Sequence, residues 1–312
     1  MVITNTALTL KDLAPPPKGK TGWPWTEQTN PLPARMLNGS EWPRISIVTP
    51  SYNQGLFIEK TIRSVLLQGY PNLEYIIIDG GSKDNSVEII KKYEPWLSYW
   101  ISEKDQGQSD AINKGFAKTD GKILAWLNSD DYYLPNALMT SGSFPWEEHI
   151  GAIVGIGNAI NLSGKILCTI KPKELTFTAF LDWMNYSNFL QPSCFMTRKA
   201  WLECGPLDTG LNYCLDVKLW LDISQKYSFQ SIDHVLSCAL VHNASKTIGQ
   251  GAYSRAETIL LISKYGAEDI AKRELYSLVD SVTKYDLLRK RLEKFPFLKS
   301  LIFPLYRKLI QR

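Results

Sequence analysis

The sequence predicts an α/β domain built on a mostly parallel, twisted sheet with helices on both faces. Three observations carry that expectation. A strand-then-helix pattern recurs about every 30 residues from Ile45 to Trp126, the length of one βαβ unit. Its strands are apolar on consecutive residues, as strands covered on both faces are. Each strand then runs into a polar loop: Asn53 in the first, Asp79 and Asp84 in the second, Asp105 and Asp110 in the third, Asp130 and Asp131 in the fourth. Parallel strands set such loops along one edge of the sheet, where open α/β sheets bind ligands.

Taken in order, residues 1–43 predict an extended arm. Pro15-Pro16-Pro17 favours a polyproline conformation, and Pro24, Pro31, Pro33 and Pro43 interrupt any helix. Trp23, Trp25 and Trp42 would be costly to expose, so the arm is expected to pack on the domain or on a partner. Residues 44–266 form the domain. Its first strand is Ile45 to Pro50, followed by a helix whose apolar face is Phe57, Ile58, Ile62, Val65 and Leu66. Leu73 to Ile78 is the second strand, with a helix from Asn85/Ser86 through Tyr93. Trp96 to Ser102 is the third, with a helix from Ala111 to Ala117, and the apolar run from Ile123 is the fourth.

After Pro135 the pattern changes. Short strands are expected at 152–157, 158–162 and 165–170, with a hairpin turn at Ser163-Gly164. A helix around 177–184 leads to another strand after Ser193. A second helix ends at Gly205, and a third starts within 212–222 with Asp216 near its N-terminus. Strands at 229–233 and 236–241 precede closing helices, and residues 267–312 form a basic, amphipathic helical segment.

The fourth loop, Asn128-Ser-Asp-Asp131, is the most informative stretch. Adjacent carboxylates at a strand end repel unless a divalent cation or a dense set of donors lies between them. The competing reading is a solvated turn that caps the helix after Pro135. Asp216 is open in the same way, between a first-turn acid favoured by the helix dipole and a chemical role. His242 is open between a ligand and a loop histidine bonded to backbone. Asp182 and Asp222 read as solvated.

Composition adds limits. A net charge of +4 over 312 residues does not suggest a nucleic-acid binder, and none is expected as partner. The charge is unevenly spread: from Lys284 to Arg312 nine Lys/Arg stand against two Asp/Glu. Apolar residues between those charges fit either contact with an anionic membrane surface or a helix packed on the domain. Five Cys without a CxxC pair, no signal-peptide pattern and no membrane-length apolar run give the expectation of a cytoplasmic protein, with a peripheral position at the inner membrane face as its variant.

Five segments, in order, carry a likeness to a known family: Val48 to Asn53, Ile78 to Ser86, Gly107 to Gly115, Trp126 to Pro135 and Cys214 to Leu221. They resemble the family 2 glycosyltransferases, inverting enzymes with the GT-A fold. The resemblance, running from about Arg44 to about Tyr265, implies a nucleotide-sugar donor, with a uridine nucleotide as first expectation. It implies a saccharide or lipid-linked saccharide acceptor in surface polysaccharide or glycoconjugate synthesis. Thr49, Pro50 and Asp79 fall where the family holds the nucleotide base, and Tyr52 and Asn53 are further expected nucleotide- or substrate-binding positions. Asp84, Gln108 and Asp110 fall where it closes around the nucleoside. Asn128-Ser129-Asp130 occupies the Asp-x-Asp position, which grips ribose and a divalent cation (Mn2+ or Mg2+), with Asp131 beside it and His242 able to complete the metal site. Lys246 approaches the diphosphate, and Asp216 falls at the catalytic base.

The chain departs from the family pattern at Asn128, where an amide stands for the first acid of the motif. That departure motivates a second expectation, a glycosyltransferase-like binding or assembly protein without full activity. A nicotinamide-dependent enzyme is set aside because Pro50-Ser-Tyr-Asn-Gln-Gly55 lacks the glycine-rich turn it needs.

Overall fold

The structure is a computed structural model that describes residues 8–186, 189–242 and 251–293. The first half of the domain alternates as expected: β1 (Ile45–Ser51), α1 (Ile58–Leu66), β2 (Leu73–Asp79), α2 (Ser86–Tyr93), β3 (Tyr99–Ser102), α3 (Gln108–Phe116) and β4 (Ile123–Trp126). There follow β5 (Tyr132–Tyr133), α4 (Ala137–Gly142), β6 (Ile150–Ile160), β7 (Ile166–Ile170), α5 (Phe177–Leu181) and α6 (Trp183–Tyr186). The chain continues through β8 (Cys194–Thr197), α7 (Arg198–Cys204), α8 (Leu215–Lys226), β9 (Ser228–Leu240), α9 (Gly251–Lys264) and α10 (Glu268–Glu293).

One sheet joins the strands in the order β3-β2-β1-β4-β8-β6-β9-β5, with β7 paired to β6. β1 to β4 are mutually parallel, β8 runs against β4, and β6 and β9 return to the first direction. Only β5, β7 and β8 point the other way, so the sheet is mostly parallel. Alternate residues of each strand feed two cores. Ile45, Ile47, Ile77 and Ile123 pack under α1 and α2. Val48, Ile76, Ile78, Leu124 and Trp126 pack under α3, α8 and α9. Gly115 lets α3 lie close on β1, since a Cβ there would sit 2.3 Å from Val48 Cγ1.

Several boundaries differ from expectation. The third strand starts at Tyr99, because Glu94–Trp96 forms a 3-10 turn with Pro95 in its first positions. The two strands expected at 152–157 and 158–162 are one continuous β6. Its glycines look like breaks but are sites of close approach: a Cβ on Gly155 would meet Leu236 Cδ1 at 2.4 Å. β9 likewise runs through Asp233 and His234, which are accommodated by a register shift between Ile232 and Val235. The helix expected over 177–184 is divided into α5 and α6 at Asp182.

The arm, described from residue 8, lies against the α1 side of the sheet. Trp25 and Trp42 are buried, and Trp23 Nε1 donates to the Tyr133 carbonyl at 2.7 Å. Arg63 of α1 is fully buried, which a guanidinium tolerates only when its donors are used. It donates to the carbonyls of Ala14 (2.9 Å), Pro24 (3.0 Å) and Trp25 (3.0 Å) and to the Tyr93 hydroxyl (3.2 Å).

At the other end, Asp182 and Asp222 are not solvated acids. Asp182 pairs with Arg273 of α10 at 2.5 Å, while Asp222 accepts from Lys218 (2.8 Å) and from the Tyr265 hydroxyl (2.5 Å). These bonds fasten the closing helices to the domain. α10 buries Ala271 and Glu274 but leaves Leu275, Tyr276, Val279, Val282 and Leu287 exposed. Among the described residues no helix is long and apolar enough to cross a membrane.

Candidate active site

The turn after β4 is held from below by α1. Thr61 Oγ1 reaches the carbonyls of Ser129 (2.9 Å) and Asp131 (2.6 Å), one hydroxyl proton serving both. Ser64 Oγ accepts from the Tyr133 N–H (3.1 Å), and Gln68 Nε2 donates to the Leu134 carbonyl (2.9 Å). Spacings of three and four residues place Thr61, Ser64 and Gln68 on one helical stripe. That stripe binds four backbone groups of the 129–134 segment.

Held in this way, the turn gives its side chains different tasks. Asp130 faces His242, with Oδ2 at 3.0 Å from Nε2, and the His242 ring packs on Phe57 with centroids 5.1 Å apart. Asp131 is turned away from that pair: one oxygen accepts from the Leu240 N–H (2.9 Å) and the other lies 3.4 Å from Asn128 Nδ2. Burial, and then the Asp130 charge, push the Asp131 carboxyl well above its ordinary range. Asn128 is a hub. Its Oδ1 accepts from Gln108 (2.7 Å), and its Nδ2 lies 3.4 Å from both Asp131 and Gln191 Oε1. A carboxylate at 128 could not donate to Asp131.

Among the described residues, no three His, Cys, Asp or Glu side chains converge as cation ligands. The expected set of Asp130, Asp131 and His242 is therefore brought together only as the pair Asp130 and His242. Asp131 is left out because its oxygens tie β9 and Asn128 to the turn. One carboxylate and one imidazole still fit a divalent cation that takes most of its ligands from a diphosphate and water. Lys246 lies outside the described residues.

The neighbouring loops lie on the same edge. Thr49 and Pro50 are buried in β1, Thr49 Oγ1 lying 3.0 Å from the Tyr75 hydroxyl, whereas Tyr52 is 60% exposed. Asn53, with φ of 52° in a region Asn tolerates, accepts from the Lys83 N–H at 2.8 Å. Asp79 is buried and accepts from the N–H groups of Gly81 and Ser82 and the hydroxyls of Ser82 and Ser102. Burial works to raise Asp84, but bonds from Ser86 and Gly55 outweigh it and leave its carboxyl below the ordinary value. Asp110 is held low by the Gln106 N–H, against burial, with Lys114 at 3.1 Å assisting. Asp79, Asp84 and Asp110 thus shape the loops around them as much as they face the cleft.

Asp216 enters from α8. Trp220, one turn further along the same face, stacks on Trp126 at the end of β4 with ring centroids 5.4 Å apart and planes 12° from parallel. Burial, and then the neighbouring Asp216 charge, raise the Cys194 thiol, which marks how near Asp216 lies to the start of β8. Gln191, just ahead of that strand, donates to the Trp126 carbonyl (3.0 Å). These contacts set the helix that carries Asp216 against the end of β4 and the start of β8. Burial pushes its carboxyl up to about 6, opposed mainly by the Val217 N–H at 2.8 Å. Further back, Asn113 of α3 exchanges two hydrogen bonds of 2.9 Å with the Leu207 backbone.

Thr61, Gln191 and Phe57 were not singled out from sequence. Each is a lone residue with no motif around it. The one available signal was Thr61, a hydroxyl among the apolar residues of a buried helix face.

Among the described residues, Ser51 Oγ, Ser109 Oγ, Tyr133 Oη and Trp220 Nε1 are buried without a partner. Native proteins leave few such groups unpaired, so they are candidate ligand contacts.

Comparison with known proteins gives this edge a context. A family model described as Glycosyl transferase family 2 matches residues 46–205, just over half of the chain. An uncharacterized glycosyltransferase of Mycobacterium tuberculosis is 40% identical over 92 residues, covering 29% of this chain and 35% of that protein. One from Rickettsia typhi is 27% identical over 219 residues, covering 66% of each. The match thus spans from about a third to just under two thirds of these relatives' length. Among solved structures, Staphylococcus aureus TarS 1-349 in complex with UDP-GlcNAc superposes with a TM-score of 0.56 at 18% identity, over 70% of this chain and 65% of that one. The mannosyltransferase PcManGT from Pyrobaculum calidifontis, in complex with GDP-Man and Mn2+, gives 0.54 at 14%, over 96% and 88%. The fold is GT-A-like, and the chain belongs to the family 2 glycosyltransferases.

Proposed function

We propose that the protein transfers a sugar from a nucleotide-sugar, in the first instance a uridine diphosphate sugar, to a hydroxyl of a saccharide or lipid-linked saccharide, with inversion at the anomeric carbon. The observation that carries this reading is the Trp126–Trp220 stack, which packs the helix bearing Asp216 against the strand that leads to Asp130. Asp130 with His242 lies at the end of β4, and Asp216 is presented by α8 one turn from the Trp126–Trp220 stack. Structural relatives in complex with UDP-GlcNAc and GDP-Man support a nucleotide-sugar as donor.

On this reading the β1 and β2 loops, with Thr49, Pro50, Tyr52, Asn53 and Asp79, receive the nucleotide base, and Asp84 borders the nucleoside. Gln108 and Asp110 close on the nucleoside, and Asn128 and Ser129 border the ribose. Asp130 and His242 hold a Mn2+ or Mg2+ ion, which when bound supplies positive charge against the leaving diphosphate. Asp131 holds the turn. Lys246 adds charge toward the diphosphate. Asp216 takes the proton from the acceptor hydroxyl; a carboxyl raised to about 6 is ionised at neutral pH yet basic enough for that task.

Asp130→Ala is expected to lower transfer by about 10³-fold or more and to abolish cation-dependent nucleotide binding with it. A transfer assay over a panel of nucleotide-sugars, paired with thermal shift with and without Mn2+, checks both. A variant that transfers sugar normally removes the cation assignment. No turnover of any donor by the native chain, with binding intact, would favour the binding or assembly protein that Asn128 suggests.

The exposed apolar stripe of α10 and the basic surplus from Lys284 onward support contact with an anionic membrane surface, where a lipid-linked acceptor would lie. The expected outcome is co-sedimentation with phosphatidylglycerol vesicles and little with phosphatidylcholine. Equal recovery with both would remove this contact.

A further inference from the structure

α8 begins at Leu215 with no side-chain cap of its own, and the first amides of a helix have no partner inside it. The amides just ahead of it converge on a carboxylate from another helix. Glu257 of α9 accepts from the N–H groups of Asn212 (2.9 Å), Tyr213 (2.7 Å) and Cys214 (3.0 Å), and Cys214 Sγ lies 3.3 Å away. Burial works to raise Glu257, but these amides outweigh it and hold its carboxyl below the ordinary value, so the acceptor is an anion. The residue two places beyond this cluster is Asp216.

We propose that Glu257 is a positioning residue for the transfer step, fixing from α9 the turn that presents Asp216 to the acceptor hydroxyl. The inference rests on the reading of Asp216 as base. It adds a residue well beyond the stretch matched by the family model. Among the described residues, the carboxylate that accepts from all three of these amides comes from α9, so the aim of Asp216 depends on where α9 sits. Three charge-assisted bonds to one carboxylate define that placement in direction as well as distance. Loosening the turn would let water reach Asp216, whose raised carboxyl comes mainly from burial, and would return it toward an ordinary value.

The test compares Glu257→Gln, Glu257→Ala and Asp216→Asn in the full chain. Steady-state hydrolysis or transfer is followed from UDP-GlcNAc and GDP-mannose as donor probes across the acid pH range, alongside amide hydrogen exchange. Glu257→Ala is expected to lower kcat about 10- to 100-fold, the scale of a displaced catalytic group. Donor KM should change by less than about twofold, because donor binding is not involved. The acid limb of kcat should move to lower pH. Glu257→Gln, which keeps one acceptor oxygen, should lose less. Exchange should quicken at Asn212 to Cys214 and stay unchanged in α3.

A wild-type kcat and acid limb in both Glu257 variants, with Asp216→Asn inactive, overturns the positioning role and leaves the base standing. Full turnover by Asp216→Asn removes the base instead. Faster exchange throughout the chain makes Glu257 a general support and overturns the inference. If neither probe is turned over, unaltered exchange at Asn212 to Cys214 does the same.

Discussion

The two sides of the cleft are held in place by opposite means. The donor side, Asn128 to Asp131, rests on neutral groups: the hydroxyls of Thr61 and Ser64 and the amides of Gln68 and Asn128. The base side, Asn212 to Asp216, hangs from a carboxylate on α9, with Asn113 clamping the loop at Leu207. The supports from Thr61, Ser64 and Gln68 bring no charge beside the Asp130–His242 pair, and the one titratable tether, Asp131, is pushed toward its neutral form by burial and by Asp130. On the base side the charge of Glu257 is absorbed by backbone amides, and Asp216 is left with burial as its largest influence. One residue type therefore meets two environments, and on the proposed reading this is what separates a charge-holding carboxylate, Asp130, from a proton-accepting one, Asp216.

Breaking the donor side at its foundation should have the largest effect. Arg63→Ala leaves the carbonyls of Ala14, Pro24 and Trp25 without their buried donor, and a loss of about 3 kcal/mol or more is expected in denaturant unfolding. The arm should then become accessible to protease while exchange at Asn212 to Cys214 stays slow. If both sides loosen together, the cleft is one mechanical unit and the contrast fails.

Thr61→Val is a finer cut. It strands the buried carbonyls of Ser129 and Asp131, at a cost of about 1–3 kcal/mol in chemical denaturation. Donor affinity should fall more than kcat, and Thr61→Ser, which restores the hydroxyl, should recover both.

The smallest effect lies on the base side. The Asp216 carboxyl is raised in the folded chain, so it binds its proton more tightly there than when unfolded. Its contribution to stability is fully present at low pH and is lost as pH rises from 3.8 to about 6. Asp216→Asn should therefore stabilise the chain above that window by at most about 3 kcal/mol, less the cost of burying the amide, a Tm rise of a few degrees, and by little below it. Equal Tm changes at both ends of the pH range would mean that Asp216 is not desolvated.

The parallel part of the fold was legible because its strands are apolar on both faces and its helices keep one apolar face, patterns local to each segment. β6 and β9 were divided in the reading because Gly155, Gly157 and the pair Asp233-His234 look like breaks. Only the opposite strand shows why they are not: Leu236 needs the space over Gly155, and the register shift takes up the two polar residues. At the site, the Asp130 turn stood out for adjacent carboxylates at a strand end, while the roles of Asp216 and His242 came from motif resemblance. Thr61, Gln191 and Glu257 act through long-range bonds to backbone, and such bonds leave no local pattern. Asp182 and Asp222 were misread for the same reason, since Arg273 and Tyr265 lie far along the chain.

The stacked indoles of Trp126 and Trp220 have a consequence for substrate change. Aromatic rings pack face to face and barely compress, so the pair acts as a spacer between the strand leading to Asp130 and the helix carrying Asp216. If the proposed transfer holds, loops along the edge can be remodelled for a different sugar or acceptor without altering the span that an attacking oxygen must cross. Exchange of either ring for an aliphatic side chain would keep much of the apolar burial and lose the gauge. Tolerance of the core and tolerance of the chemistry would then part company at these two positions.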